Sequence, residues 1–579
     1  MQYDILIKSA RYFDGTADSD GSVRDIAIKD GNIAKVSQSP ILQEAKEVID
    51  ADGKWVMPGF IDVHTHYDAE VMINPALDES LRHGVTTVFL GGCSLSMIYS
   101  DPDDCSDLFT RVEGFPREII LPVLQKEKTW KTPKEYISYL SGIGLGPNVS
   151  FFVGHSDIRV AGLGFERAVD ASAELTAAET RKMTDMLKES LDAGALGMSF
   201  MMSKGDKIDG TRFRSLPLPS TFAKNPEYAA FNTVLREYGR VHQGAPNIYS
   251  PLKSMSWLFG QSMGLFRKNL KMTLIVLADV VGVPAAHMFS RFGARMANLF
   301  SGNFRWQFLP SVFTLYVDGM NFVNVEELPS GLDVIHEMSK KNRQKMVMEP
   351  LYRARFKEEI KQKAGPVTLW NRQFGDMIVV QCEDKSLEGK SFLQIANETG
   401  KHPVDAFLDL MGQYGEDIRW RQTVANQRPD VLKKLCNSSS SQIGFSDAGA
   451  HLRNICFYNL PLRMLKMVND AQSDAKPFMS VGKAVWKLTG ELADWFNIDA
   501  GRIREGDRAD LIIVDPAKLD DRIYEYHEAD FKGVSRIVNR NDETVPAVIL
   551  NGKMAARNGQ VESNVGQSCE FGRFLPVKG

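Results

Sequence analysis

The chain alternates between two hydrophobic periods, and this alternation predicts its secondary structure. Near the amino end, short runs at 4–9, 24–29 and 33–36 lie between turn residues, as expected for strands and hairpins. Farther along, buried-looking apolar runs alternate with stretches in which apolar residues recur every three or four positions. That order is typical of βα units, in which helices cover a parallel sheet.

The number of βα units favours a closed barrel over an open sheet. Strands are predicted at 86–90, 148–154, 195–199 and 305–310, and helices at 77–83, 176–193, 231–238, 392–398 and 404–411. Short strands return near the carboxyl end, at 506–515 and 545–551. The sequence therefore predicts an α/β fold, a (β/α)8 TIM-like barrel over residues 57–499. Residues 1–56 and 500–579 are predicted to form one small discontinuous β-sandwich domain.

Length and composition limit the class of protein. A chain of 579 residues exceeds the size of a single core, so more than one domain is expected. The net charge of −4 gives no electrostatic reason to expect a nucleic-acid partner. The six cysteines form no CxxC pair, which argues against a zinc finger or a disulfide framework. No signal peptide or long apolar span is evident, so a cytoplasmic location is predicted.

Two histidines at the end of an apolar run form the first candidate site. The run from Trp55 to Val63 leads into His64-Thr65-His66. In an extended strand, side chains two residues apart point to the same face. Two imidazoles that converge in this way provide half of a metal site. An ordinary pair of histidines is the alternative, but the position after a Pro-Gly turn favours metal binding.

Two further residues follow strands at positions that suit chemistry. Cys93 comes directly after the strand predicted at 86–90, and active sites of barrel enzymes lie at this end of the strands. Asp447 lies before a glycine in Phe445-Ser446-Asp447-Ala448-Gly449, where an acid can serve as a metal ligand, a general base or both. A buried cysteine and an Asp-x-Gly turn are also common without function.

Residues 253–310 differ in character from the rest of the chain. Between Lys253 and Arg305, seven lysines and arginines stand against one acid, Asp279, and Met, Phe and Leu are frequent. Basic and apolar residues together indicate a region that contacts substrate, a membrane surface or another anionic partner. A set of barrel helices with solvated arginines is the alternative, and the sequence leaves both open.

Several motifs, in this order, resemble the amidohydrolase superfamily and, within it, the D-aminoacylase branch (N-acyl-D-amino-acid deacylases). The resemblance extends over about residues 1–560. It is carried by the run ending in His-Thr-His, Gly-Gly-Cys-Ser at 91–94, Gly-His-Ser-Asp-Ile-Arg at 154–159, Ala-Gly-Ala-Leu-Gly-Met-Ser at 193–199, Phe-Ser-Asp-Ala-Gly-Ala-His at 445–451 and Gly-Asp-Arg-Ala-Asp-Leu at 506–511.

The resemblance implies one or two Zn²⁺ ions, or other divalent metals, held by matching residues. His64, His66 and Asp447 would bind one ion, and Cys93 would bind or bridge a second. Asp447 would also act as the catalytic base. The family's two further histidine ligands have no clear match, because Gly244 occupies the first of these positions. By strand alternation, His242 shares the face of Gly244 and is the candidate substitute.

The resemblance also implies residues around the substrate. His155 would stabilise the oxyanion or orient the substrate, and Arg159 would contact a carboxylate. His451 is expected to bind substrate.

The implied activity is hydrolysis of an N-acyl amino acid, with D chirality and a long acyl chain as finer expectations. The alternatives are a cyclic-amide hydrolase, which would need a lysine on a middle strand, and a non-catalytic scaffold that kept the barrel. Small-molecule substrate is the expected partner, and nucleic acid is not. Membrane contact through 253–310 and an oligomeric state are open.

Overall fold

The fold is a parallel barrel closed where its first and last strands meet. The computed structural model describes residues 2–248, 250–322, 325–337, 339–362 and 370–578. The barrel strands, all parallel to their neighbours in chain order, are Phe60–Asp62 continued by His64–Thr65, Val85–Leu90, Asn148–Gly154, Gly197–Met201, Val241–Ala245, Lys271–Leu277, Asn303–Phe308, and Ser441–Ile443 continued by Phe445–Ala448. The predicted TIM-like barrel is confirmed.

The seam of the barrel joins segments that are far apart in the sequence. Phe445 pairs with His64 in parallel register. On either side of this pair, the amide of Val63 donates to the carbonyl of Gly444 at 2.9 Å, and the amide of His66 donates to that of Ala448 at 2.7 Å. The last strand therefore places its carboxyl end beside the two histidines.

Helices follow the barrel strands and cover the barrel. Those between the first and seventh strands are Glu70–Ile73, Asp78–Leu81, Pro102–Glu113, Arg117–Glu127, Pro133–Gly142, His155–Leu163, Phe165–Ala168, Ala177–Asp192, Asn225–Tyr238, Pro251–Ser262 and Ala286–Leu299. After the last strand come Leu460–Ser473, Val481–Leu488 and Gly490–Phe496. The long helix Ala177–Asp192 begins with a capping box, in which Thr176 and Glu179 satisfy each other's backbone amides.

Strands from both ends of the chain form one sheet. Its members are Tyr3–Tyr12, Val23–Lys29, Asn32–Ser37, Ala45–Asp50, Trp55–Pro58, Leu511–Val514, Ala547–Leu550, Lys553–Arg557 and Gln560–Val561. Trp55–Pro58 pairs with Leu511–Val514 in antiparallel register, which joins the amino-terminal and carboxyl-terminal strands. The boundaries predicted for the discontinuous domain stay predictions. A separate hairpin, His527–Phe531 with Val534–Val538, lies between the carboxyl-terminal strands.

A segment between the seventh and eighth barrel strands, within the range predicted for the barrel, packs its apolar residues into a second core cluster. Phe313–Asp318, Ile378–Gln381 and Arg419–Ala425 form a three-stranded antiparallel sheet. The helices of this insertion are Pro329–His336, Lys340–Met346, Pro350–Lys361, Phe392–Thr399 and Pro403–Tyr414. A further helix, Pro429–Cys436, leads into the eighth strand. Periodicity predicted two of these helices but could not tell which layer they would cover.

Phe407 lies at the centre of the insertion's core. It is fully buried, and its ring contacts those of Phe392 and Trp420 at centroid distances of 5.1 and 6.2 Å. Replacing it with alanine removes this packing and leaves a cavity. We expect Phe407→Ala to lower the free energy of unfolding by about 3–5 kcal/mol, measured by denaturant titration.

The matched control for Phe407→Ala is Leu351→Ala, because Leu351 lies on another helix of the insertion and is exposed. This control should change stability by less than about 0.5 kcal/mol. Equal effects of the two substitutions would contradict a separate packed core in the insertion.

Candidate metal centre

His64, His66 and Cys93 converge at the carboxyl end of the barrel. All three are buried, and one ligand atom from each lies within 4.8 Å of the others. The Sγ atom of Cys93 lies 3.4 Å from Nε2 of His64. The period-two spacing of the histidines and the position of Cys93 after the second strand account for this convergence. The structure thus brings together three of the predicted ligands.

Asp447 joins this group from the far side of the seam. Its Oδ1 atom lies 3.3 Å from Nε2 of His66 and 3.8 Å from Nε2 of His64. Burial alone would raise the pKa of Asp447, but the hydrogen bond from His66 and the charges of His66, His64 and His451 lower it to about 2. The carboxylate is therefore ionised at neutral pH and points toward the imidazole nitrogens.

The protonation of the donors suits a cation. Nδ1 of His64 lies 2.7 Å from Oε1 of Gln307, and an amide oxygen can only accept, so Nε2 of His64 keeps its lone pair. Burial lowers the pKa of His64 to about 4, which keeps the ring neutral. Burial also raises the pKa of the Cys93 thiol well above its ordinary value. A thiolate at this position therefore needs positive charge beside it.

These residues fit a divalent transition-metal ion. Nδ1 of His66 is a buried polar atom with no hydrogen-bond partner among the described residues. Two imidazoles, a carboxylate and a thiol are a donor set that Zn²⁺ and similar ions accept. Gln307 was not anticipated from sequence, although a polar residue inside the buried seventh strand was a usable signal. It fixes the orientation of His64, as partners of metal-binding histidines commonly do.

The backbone around the donors adopts conformations that are uncommon for residues with side chains. Cys93, Asp447 and His451 have φ values of 49°, 59° and 48°. Such left-handed residues cost energy and cluster at functional sites. Gly449 has a φ of 86°, and a Cβ atom there would lie 2.3 Å from the carbonyl oxygen of His66. Only glycine allows the Asp447 turn to approach the histidine strand this closely.

His242 lies outside the group of donors. Its ring packs against the ring of Phe200 at a centroid distance of 4.3 Å, and neither of its ring nitrogens has a hydrogen-bond partner among the described residues. The neighbouring Gln243 instead reaches across to donate to the carbonyl of Val63 at 3.0 Å. A Cβ atom at Gly244 would lie 2.5 Å from the ring of Phe200. His242 and Gly244 thus both approach Phe200, and the structure does not bring His242 to the metal centre.

His155 and Arg159 meet each other through an acid that sequence reasoning missed. Nε2 of His155 donates to Oε1 of Glu227 at 2.7 Å, and Arg159 donates to the other oxygen of Glu227. Nδ1 of His155 lies 3.2 Å from Oγ of Ser220, and Nε of Arg159 donates to the carbonyl of Ala168 at 3.0 Å.

The side chains of His155, Arg159 and Glu227 are all buried. Burial alone would raise the pKa of Glu227, but its bonds to His155 and the charge of Arg159 hold it below the ordinary value. In this arrangement His155, predicted as a catalytic residue, and Arg159, predicted to contact a substrate carboxylate, both bind Glu227. The helix Asn225–Tyr238, with Glu227 in its first turn, was the available sequence signal.

His451 lines a charged cavity beside the metal centre. The cavity has a volume of about 300 Å³, and its walls include Arg111, Asp206, Lys207 and Glu326. The charge of Asp206 acts on both His66 and His451, and burial raises the pKa of Asp206. Asp206 lies in the loop after the fourth strand, and sequence reasoning missed it. Asp206 therefore links the cavity electrostatically to the candidate metal centre.

Comparisons with known proteins agree with this geometry. Residues 47–201 match the model of the amidohydrolase family. An uncharacterised protein of Mycobacterium tuberculosis is 46% identical over 99% of this chain and 96% of its own length. An N-acyl-D-aspartate deacylase of Alcaligenes xylosoxydans xylosoxydans is 30% identical over 34% of this chain and 36% of its own.

Two solved structures share the fold over the full length of both chains. The N-acyl-D-glutamate deacylase of Bordetella bronchiseptica, complexed with zinc and a phosphonate inhibitor, superposes with a TM-score of 0.63 at 18% identity and covers 100% of each chain. A D-aminoacylase described with a binuclear metal centre gives a TM-score of 0.62 at 19% identity, over 99% of this chain and 100% of its own. At these identities the likeness concerns the fold.

Replacing the donors should remove metal. We expect His64→Ala and His66→Ala each to lower the bound metal per chain, because each substitution deletes one of few convergent ligands. Elemental analysis of purified protein measures this, with circular dichroism to check folding. His527→Ala is the control, since His527 is an exposed histidine far along the chain from the barrel strands. Full metal content in a folded His64→Ala variant would contradict the assignment of His64 as a metal ligand.

Proposed function

Because the chain belongs to the amidohydrolase superfamily, in its D-aminoacylase branch, we propose that it hydrolyses the amide bond of an N-acyl-D-amino acid. As a member of this metal-dependent family it is a hydrolase that acts on amide C–N bonds. The observation that carries the proposal is the convergence of His64, His66, Cys93 and Asp447 at the carboxyl end of the barrel. A non-catalytic scaffold would have no reason to retain all four donors in one place.

We assign the metal centre to Zn²⁺, held by His64, His66, Asp447 and Cys93. A bound Zn²⁺ would supply Lewis-acid polarisation of the amide carbonyl and a water of lowered pKa. The described residues support one ion better than two, since neither the fifth nor the sixth barrel strand brings a histidine to the donors. The zinc identity, like a cytoplasmic location, stays a prediction.

Asp447 is the proposed general base. Its low pKa makes it a carboxylate at neutral pH, and its position beside both histidines gives it access to a water at the centre. In the reaction, Asp447 takes a proton from the attacking water and passes it to the departing amine nitrogen. His155 then serves as a positioning residue, because both of its nitrogens are already engaged by Glu227 and Ser220.

The charged cavity is the proposed site for the amino-acid part of the substrate. Arg111 and Arg453 on its wall are each paired with an acid, Glu326 and Asp318 respectively. Lys207 also lines the cavity, and among the described residues its ammonium has no hydrogen-bond or ion-pair partner. An unpaired cation beside the centre is suited to bind the carboxylate that every N-acyl amino acid carries.

A cyclic-amide hydrolase finds less support. A cyclic-amide hydrolase of this kind would need a lysine on a middle barrel strand. The described barrel strands contain one lysine, Lys271, at the amino end of the sixth strand. Its ammonium donates to the carbonyl of Trp495 at 3.0 Å, which directs it away from the carboxyl end of the barrel.

A substrate screen tests the proposed function. Purified protein, with and without bound metal, is assayed on N-acyl derivatives of acidic and neutral amino acids, in both enantiomers and with short and long acyl chains. Release of free amino acid from D substrates by the metal-bound form supports the proposal. Turnover of hydantoins with none of linear amides would replace it with the cyclic-amide alternative.

Asp447→Asn should leave a folded protein with little activity. Asparagine keeps the volume and can accept a hydrogen bond, but it cannot take a proton at neutral pH. We expect turnover to fall by at least ~10²-fold, measured at saturating substrate on protein checked for metal content. A variant with full metal content and near-normal turnover would show that another residue is the general base. Asp206 is the next candidate by its position.

Lys207→Gln should weaken substrate binding more than turnover. Loss of one charge-assisted hydrogen bond to a carboxylate raises KM by about tenfold or more, with kcat little changed. Lys204→Gln is the matched control, because Lys204 is an exposed lysine of the same loop and should leave KM unchanged. Equal KM values in the wild type and Lys207→Gln would exclude Lys207 as the carboxylate site.

A further inference from the structure

The helix Ala286–Leu299 turns a row of apolar side chains toward solvent. Met288, Phe292 and Leu299 follow one another at spacings of four and seven residues, so they lie on one face of the helix. Phe289 stands beside this row. Phe289, Phe292 and Leu299 are 73%, 65% and 72% exposed. Large apolar side chains on a barrel helix normally face the core, so their exposure here indicates a surface that binds a partner.

The orientation of this helix is fixed by its opposite face. Ala294 and Ala297 are fully buried there. Gly293 contacts the ring of Phe259 on the preceding helix so closely that a Cβ atom would lie 2.2 Å from it. Because the small residues must face inward, the helix cannot rotate to bury Phe289 and Phe292. The outward apolar face is therefore a settled feature of the packing.

A neighbouring loop extends the same surface. Leu265 is exposed, and Phe266 is 99% exposed. The loop adjoins the end of the helix, since the amide of Gly264 donates to the carbonyl of Phe300 at 3.2 Å. We refer to Leu265, Phe266, Met288, Phe289, Phe292, Leu299 and Phe300 as the apolar face.

Cations without acidic partners surround the apolar face. Arg267 and Lys268 lie in the loop, and Arg291 and Arg295 lie on the helix. Among the described residues, none of the four forms an ion pair with a carboxylate, and Arg267 donates only to the carbonyls of Gly260 and Met263. Asp279, the single acid between Lys253 and Arg305, is buried and bound by Arg428.

The charges decide which kind of partner fits. A second copy of the chain in a symmetric dimer would bring the same surface against itself, so unpaired cations would face cations. An anionic partner avoids this repulsion between like charges. It must also receive several protruding aromatic side chains interspersed among the cations. A bilayer with anionic headgroups offers negative charge at its surface and an apolar layer directly beneath it.

We propose that the apolar face and its surrounding cations bind the surface of an anionic lipid membrane. Phe266, Phe289 and Phe292 enter the boundary between headgroups and acyl chains, while Arg267, Lys268 and Arg295 contact phosphates. The protein would lie on the bilayer surface through these side chains. None of the described helices is long and apolar enough to span a membrane. Binding of this kind does not depend on the proposed reaction, and it is measured without substrate.

Vesicle sedimentation tests the proposal with the full chain. Vesicles of phosphatidylcholine alone are compared with vesicles that contain about 30% phosphatidylglycerol. We expect the wild type to sediment with the anionic vesicles only and to be released at about 0.5 M NaCl, where exposed charges are screened. The combined variants Phe289→Ser with Phe292→Ser, and Arg267→Gln with Lys268→Gln and Arg295→Gln, should each lower the bound fraction at least tenfold.

The control is Leu42→Ser with Leu351→Ser, which removes two exposed apolar side chains elsewhere and should bind vesicles as the wild type does. Absence of sedimentation of the wild type would overturn the proposal, and so would equal binding by all variants. Analytical ultracentrifugation without lipid tests the alternative that a second copy of the chain binds the apolar face. A dimer that Phe289→Ser with Phe292→Ser dissociates, together with no vesicle binding, would assign the face to a second copy.

Discussion

The contact between the first and last barrel strands is the constraint on which the site depends. Residues near 64 and near 447 are separated by most of the chain, and only closure of the barrel brings them together. The seam then sets the distance from Asp447 to the histidines with backbone hydrogen bonds on both sides of the Phe445–His64 pair. A cation held across the seam would therefore couple metal binding to barrel closure, because it would stabilise the closed form.

Charge at the site is arranged in two separate groups with different tasks. The donors at the seam keep one neutral imidazole and one ionised carboxylate available for a cation. The group of His155, Arg159 and Glu227 is internally paired and buried. Removing Arg159 or Glu227 would leave the other without its buried ion-pair partner. The members of this group bind one another, whereas the donors are proposed to hold a metal ion and the cavity to bind the substrate.

Much of the fold and part of the site could be predicted from sequence. His64 and His66 were predictable because strand geometry fixes the direction of residues two apart. Cys93 and Asp447 were predictable because barrel enzymes place chemistry after their strands.

The residues that were missed depend on contacts between distant elements. Gln307 acts only through its bond to His64, Glu227 only through His155 and Arg159, and Asp206 lies in a loop without periodicity. For His242, alternation correctly grouped it with Gly244, but periodicity alone could not tell which face of the strand points into the barrel.

The insertion between the seventh and eighth strands has a consequence for how this enzyme's selectivity can change. It folds around an aromatic core that also takes in Phe445 of the eighth barrel strand, and it supplies Asp318, Phe322 and Glu326 to the cavity beside the metal centre. The reactive donors all belong to the barrel. Exchange of the insertion, by recombination or by design, would therefore change the wall of the cavity and leave the donors on the barrel, provided that the replacement keeps the packing against Phe445.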